Sequence, residues 1–202
     1  MSLPERNIED LWKKYTNLLS MLQDESVDKL IEEQGQRIIE CTYSQKISEP
    51  FCGIGGLVDY SLKLAKTAKT LVQTLDYNIT AHSIIKCSLL GEIGRIGTIS
   101  QDRLIISDSE WHKEKLGQYY NWNENCEKYS INHMTLFYMN HYNIRFNWNE
   151  LQTLILLHSG SSEVDNFYSL HKSDITTILK ISKELVLKKE MSVIEGTDSV
   201  PF

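Results

Sequence analysis

The stretch SLLGEIGRIG, Ser88 to Gly97, is where the reading of the fold turns. Ile84, Ile85, Leu89 and Leu90 mark a buried helix that runs into Gly91-Glu92 and continues as Ile93-Gly94-Arg95-Ile96-Gly97. Glycine inside a helix costs about 1 kcal/mol against alanine. Two glycines and a glutamate in an apolar run therefore point to a constraint other than helix formation, and hence to a site.

Outward from that stretch the chain reads as helical. In LPERNIEDLWKKYTNLLSML, Ile8, Leu11, Trp12, Tyr15, Leu18, Leu19 and Leu22 fall at three- and four-residue steps and form one apolar stripe. Pro4 suits the start of this helix, and Glu5 and Asp10 suit the positive end of its dipole. A second helix is expected from about Ser26 to Cys41. TYSQKISEPFCGIGG has no helical period and carries Pro50 and three glycines, which makes it a loop. GLVDYSLKLAKTAKTLVQTL is a third helix, and Thr80 caps a fourth over AHSIIKCSLLGEI. Residues from about Gly97 to Ser130 read as a long irregular insert with Trp111, Tyr119, Tyr120 and Trp122, in which RLIIS suggests a short hairpin. INHMTLFYMNHY is a fifth helix. ELQTLILLHSG is a sixth, capped by Asn147 or Asn149 and ended by Gly160, and SDITTILKISKELVLKK is a seventh with Ser173 as its cap. The expected fold class is all-α. Residues 1–45 form an N-terminal helical extension, 46–190 the main domain and 191–202 a flexible tail. The helices from Pro4 to Cys41 either dock on that domain or mediate a homo-oligomer.

Composition narrows the function classes. With 202 residues, 41% of them hydrophobic and 24% charged, the chain can bury a sizeable core. A net charge of −6 argues against nucleic acid as a partner, because phosphate backbones need clustered Lys and Arg. Cys41, Cys52, Cys87 and Cys126 form no CxxC pair and read as reduced thiols. The first residues are charged from Glu5, unlike a signal peptide, and no apolar run reaches the length of a membrane span, so a cytoplasmic protein without a membrane partner is expected. The six histidines lie in no HExxH, and no P-loop, GxSxG or GxGxxG occurs. The lysines near the C-terminus read as a solvated face.

Three stretches in order change this picture. GGLVDYSLKLA, SIIKCSLLGEIGRIG and ELQTLILLHSG together resemble a degenerate copy of the HD-domain metal-dependent phosphohydrolases, especially the small phage-encoded members. In that family a Gly-Gly-Leu-x-x-His-Ser segment opens one helix. About thirty residues later an apolar helix ends in Leu-His-Asp-x-x-Lys-x-Gly, and a later helix ends in Ile-x-x-His-x-Gly. Gly55, Gly56, Leu57, Ser61, Leu89, Leu90, Gly97, Glu150, Ile155, His158 and Gly160 fall where the pattern puts them, and WHKEKLGQYYNWN resembles the family's aromatic insert. The resemblance covers roughly residues 38–185 and implies an HD-like helical bundle with two extra N-terminal helices. If the chain is phage-encoded, it implies the host cytoplasm.

The resemblance also answers the opening question. Gly91-Glu92 stands at the His-Asp doublet, Tyr60 at the first metal-binding histidine, and Pro50-Phe51 where a further histidine often precedes the glycines. Gly91 has no side chain to donate, and a phenol with a reference pKa of about 10 is a poor ligand for Mg²⁺ or Mn²⁺. Arg95 keeps the charge of the family's lysine. Two readings follow. In the first, the chain is a catalytically inactive pseudoenzyme without a metal cofactor. Its cleft binds a nucleotide-like or phosphorylated small molecule through Tyr60, Glu92, Arg95, Trp111, Tyr119, Tyr120, His133 and His158, or else its surface binds a protein partner. In the second, Glu92, His133 and His158 hold one divalent transition metal in a divergent phosphohydrolase acting on nucleotides. The first is preferred, because doublet and first histidine are replaced together.

Overall fold

The computed structural model describes residues 3–158 and 172–196, and the fold among these is all-α apart from one two-stranded ribbon. The helices are α1 (Ile8–Ser20), α2 (Glu25–Glu40), α3 (Gly56–Thr74), α4 (Ala81–Leu90), α5 (Glu110–Leu116), α6 (Ile131–His141), α7 (Trp148–Leu156) and α8 (Asp174–Glu195). A 3₁₀ turn, Ile93–Ile96, follows α4, and β1 (Leu104–Ile106) pairs antiparallel with β2 (Tyr120–Trp122).

Capping sets most of these boundaries. Thr80 Oγ1 accepts from Ser83 N and starts α4. Asn147, not Asn149, starts α7, in a reciprocal box with Glu150. The first helix begins at Ile8 with Asn7 as its cap, so Pro4 precedes the helix rather than opening it. Asp24 caps α2 through Ser26 N.

The helix α3 is the hub. It packs against α8 and α4 and also receives α1 and α2, while α6 covers the 3₁₀ turn and α7 bridges to α8. The N-terminal helices dock. Tyr15, Leu19, Leu30 and Ile38 belong to the same core as Leu64, Leu90 and Leu154, and the Tyr15 hydroxyl donates to Leu89 O at 2.8 Å. Burial pushes that phenol well up, so it stays a neutral donor.

Three expectations are corrected. The fourth helix stops at Leu90 instead of running through Ile93, so Gly91 is its C-cap and Gly94 lies in the 3₁₀ turn. Neither glycine carries the penalty of a helix interior. Gly94 is there because of crowding: a Cβ on it would stand 2.4 Å from Ile131 O and 2.7 Å from Thr135 N, both backbone atoms at the start of α6. The insert contains the expected hairpin strands but also α5, with Ser109 as cap and Gly117 in the left-handed conformation at its end. The last helix continues to Glu195, so residues 191–195 are helical rather than a flexible tail. Gly160 and residues 197–202 lie outside the described residues. Among the described residues no helix is long and apolar enough to cross a membrane, and the four cysteines form no disulfide.

Candidate functional site

Where α4 ends, the chain turns Glu92 inward, and its side chain is fully buried. Four elements converge on that carboxylate. From α3, the Tyr60 hydroxyl donates to Oε1 at 2.7 Å. From the 3₁₀ turn, Arg95 Nε donates to Oε2. From α8, Lys183 Nζ lies 3.1 Å from Oε1. Beyond the last turn of α7, His158 Nε2 lies 3.2 Å from the same oxygen, close enough for an ion pair but not aligned as a hydrogen bond. Lys183 Nζ is also 3.2 Å from His158 Nδ1. An ammonium can only donate, so this contact assigns the imidazole proton to Nε2, facing Glu92.

The charge states follow from this geometry. Burial alone would push the Glu92 carboxyl up, but Arg95, His158 and Lys183 outweigh it and hold the group well below the usual carboxylate range. Burial would lower the Arg95 pKa, and Glu92 raises it further than that. For His158 burial wins over the attraction of Glu92, and the imidazole pKa is lowered. The cluster is thus one buried carboxylate facing the Arg95 guanidinium, the Lys183 amine and the His158 imidazole, whose pKa is lowered.

Aromatic rings seal it. Tyr43 lies 4.3 Å from Tyr60 between ring centroids, and Phe51 meets both edge-on at 5.8 and 5.6 Å. The Arg95 guanidinium sits 3.7 Å above the Tyr43 ring, and Nη1 donates to Tyr43 O at 3.1 Å. Tyr60 and Phe51 fill space with packed rings, and burial pushes the Tyr60 phenol well above its ordinary value.

The pH dependence of stability follows from the two shifted groups. Glu92 has a folded-state pKa below its unfolded one, so its contribution is complete above about pH 4.5 and is lost as pH falls through the folded value. His158 also has a lowered folded pKa. The unfolded chain takes up that proton first, and stability drains away as pH falls below about 6.5. The expected result is a melting temperature that falls between pH 7 and pH 5, and His158→Gln should flatten that segment. Equal pH slopes in both chains would overturn the assignment.

Of the residues expected from sequence, Tyr60, Glu92, Arg95 and His158 assemble. Tyr120 is buried and shares with Arg95 only a small recess of about 50 Å³. Three expectations are corrected. His133 is exposed on α6 and takes no part in the cluster. Trp111 is exposed on α5 with its ring edge against His112. Tyr119 follows α5, where its backbone N–H bonds Gln45 O, and does not border the cleft beside Arg95. Sequence reasoning missed Lys183, which was placed on a solvated face. The available signal was its position: it follows Leu179 by four residues and Ser182 by one on the buried stripe of α8.

Beside the cluster lies an open cleft of about 570 Å³, lined by Tyr43, Arg95, Arg103, Trp122, Lys188 and Met191 among others. Arg95 therefore spans two environments, with Nε on the buried carboxylate and its outer face at the cleft. The bordering indole is that of Trp122, not Trp111.

The HD-family resemblance implies divalent metals held by His and Asp side chains, and the described residues gather no such set. Among the described residues no group of three His, Cys, Asp or Glu side chains could hold an ion, so Glu92, His133 and His158 form no ligand set. Both Glu92 oxygens already face donors. Comparison with family models, curated proteins and solved structures returned no match.

Proposed function

We propose that the chain is a binding protein on an HD-like bundle, a pseudoenzyme whose former reaction centre has become a structural charge cluster. Its ligand is a phosphorylated, nucleotide-like small molecule taken in the cleft beside Arg95. The observation that carries this reading is the commitment of Glu92. The carboxylate at the family's aspartate position is buried and ringed by Tyr60, Arg95, His158 and Lys183. A carboxylate so paired has no face left for ligating an ion or activating water. A volume of about 570 Å³ suits a small-molecule site, and the cations on its wall suit an anion.

The test is turnover together with elemental analysis. Phosphate release from common nucleotides should stay at background with Mg²⁺, Mn²⁺, Co²⁺ or Ni²⁺, while nucleotides bind in calorimetry. Stoichiometric transition metal in the purified protein, lost in His158→Ala, together with turnover lost in Glu92→Gln, would overturn the proposal in favour of a metal-dependent hydrolase.

A further inference from the structure

The cations around the cleft differ in what already satisfies them. Arg95 is matched by Glu92 and by Tyr43 O. The acidic residue on the same wall, Glu49, is turned to its own loop, accepting from Gln45 N at 3.2 Å and Lys46 N at 3.4 Å. Arg103 is different. Its backbone is pinned, N donating to Ile96 O at 3.3 Å and O accepting from Asn123 N at 3.0 Å. Its guanidinium stacks over the Trp122 ring with its carbon 4.8 Å from the centroid. Among the described residues no carboxylate lies within 4 Å of it, and its buried Nε has no hydrogen-bond partner. The Trp122 indole Nε1 beneath it is likewise buried and unpartnered.

Two orphan N–H donors on adjacent side chains at one cleft are unusual, because buried donors are nearly always paired. Leaving a buried donor unpaired is unfavourable, so a ligand acceptor here gains from meeting it. Burial, and next the like charge of Arg95, lower the Arg103 pKa, which is the environment of a cation awaiting an anion. Lys188, exposed on α8 at the same wall, adds a second positive charge. Both orphans and both charges call for acceptors alone, which describes a phosphate group and not a neutral amide or sugar.

We propose that Arg103, on its Trp122 platform and aided by Lys188, is the phosphate-receiving subsite of the cleft, and that it takes a diphosphate-like group rather than a single phosphate. This rests on the reading of the cleft as a site for phosphorylated ligands. Arg95 is then the positioning residue that links the subsite to the buried cluster. The apolar part of the ligand lies toward Leu104, Leu187 and Met191, which share the cleft.

The experiment is calorimetric titration of the full chain with inorganic pyrophosphate, inorganic phosphate and ATP. Pyrophosphate should bind more tightly than phosphate. Arg103→Met, which keeps the apolar stem over Trp122, should weaken pyrophosphate and ATP about tenfold or more, the scale of a charge-assisted hydrogen bond. Lys188→Met touches only an exposed position and should weaken both about threefold, which keeps the test available if Arg103→Met does not fold. Wild-type affinity retained by every Arg103 and Lys188 variant that folds would overturn the subsite while leaving the cleft reading intact. No binding of any of the three probes to the wild-type chain would overturn the cleft reading, and the subsite with it.

Discussion

Replacing Glu92 with alanine is expected to lower the unfolding free energy by about 3–5 kcal/mol, the usual cost of stranding a buried charge. The variant leaves Arg95 and Lys183 facing each other across a cavity without the anion that holds both. It also leaves the Tyr60 hydroxyl, which is fully buried, without its acceptor. For a chain of this size each kcal/mol is worth roughly 2–4 °C in melting temperature, so the fall should be about 10 °C. Glu92→Gln, which keeps an acceptor for Tyr60 but removes the charge, should fall between the two. Urea unfolding with the slope checked for two-state behaviour reads both. A carboxylate kept for chemistry alone behaves in the opposite way: its removal commonly leaves stability unchanged or raises it. An alanine variant as stable as the parent would therefore remove the basis for calling this cluster structural.

The second large effect is expected at Gly94. Gly94→Ala places a methyl group 2.4 Å from Ile131 O and 2.7 Å from Thr135 N, and neither backbone atom can rotate away. Overpacking of this kind costs about 1–3 kcal/mol or more. The same contact carries hydrogen bonds, since Gly94 N donates to Thr135 Oγ1 at 3.0 Å and Thr135 Oγ1 reaches Gly91 O at 3.4 Å. Forcing the 3₁₀ turn away from α6 should therefore also disturb Arg95, one residue on. The check is thermal unfolding of Gly94→Ala beside Gly196→Ala. Gly196, unlike Gly94, is left-handed, and open space surrounds it, so its loss reflects backbone strain alone. Equal losses at the two positions would contradict the crowding account. The crowding extends to Gly91, where a Cβ would stand 2.3 Å from Cys87 O and 3.2 Å from Leu157 Cδ2. A histidine at position 91 would therefore require the end of α4 to move.

The apolar periodicity of α1, α3 and α7, with caps at Thr80 and Asn147, was legible because those signals are local. The end of α4 was not, because what stops it is the approach of α6, a contact across forty residues that no local pattern carries. α5 was legible and overlooked: Ser109, Glu110 and Gly117 spell a capped helix within a stretch read as an irregular, aromatic-rich insert. At the site, the inward set Tyr60, Glu92, Arg95 and His158 could be placed in register with one another. Lys183 could be placed on the buried stripe of α8 by its spacing to Leu179, but its partner could not, because that depends on where the helix docks. Arg103 and Trp122 meet only because β1 and β2 pair, with Leu104 opposite Trp122. Trp111 and His133 were chosen through the family resemblance, and in the fold their helices turn them to solvent.

The proposed function is binding of a phosphorylated ligand beside a sealed charge cluster without its hydrolysis. Phosphorus NMR of ATP with Mg²⁺ and an equimolar amount of the full chain reads both halves at once. The β- and γ-phosphate resonances should shift or broaden, the Arg103→Met chain should lose the effect, and no inorganic phosphate signal should grow over hours. A growing phosphate signal that disappears in Glu92→Gln, or a spectrum of ATP unchanged by the protein, would contradict it.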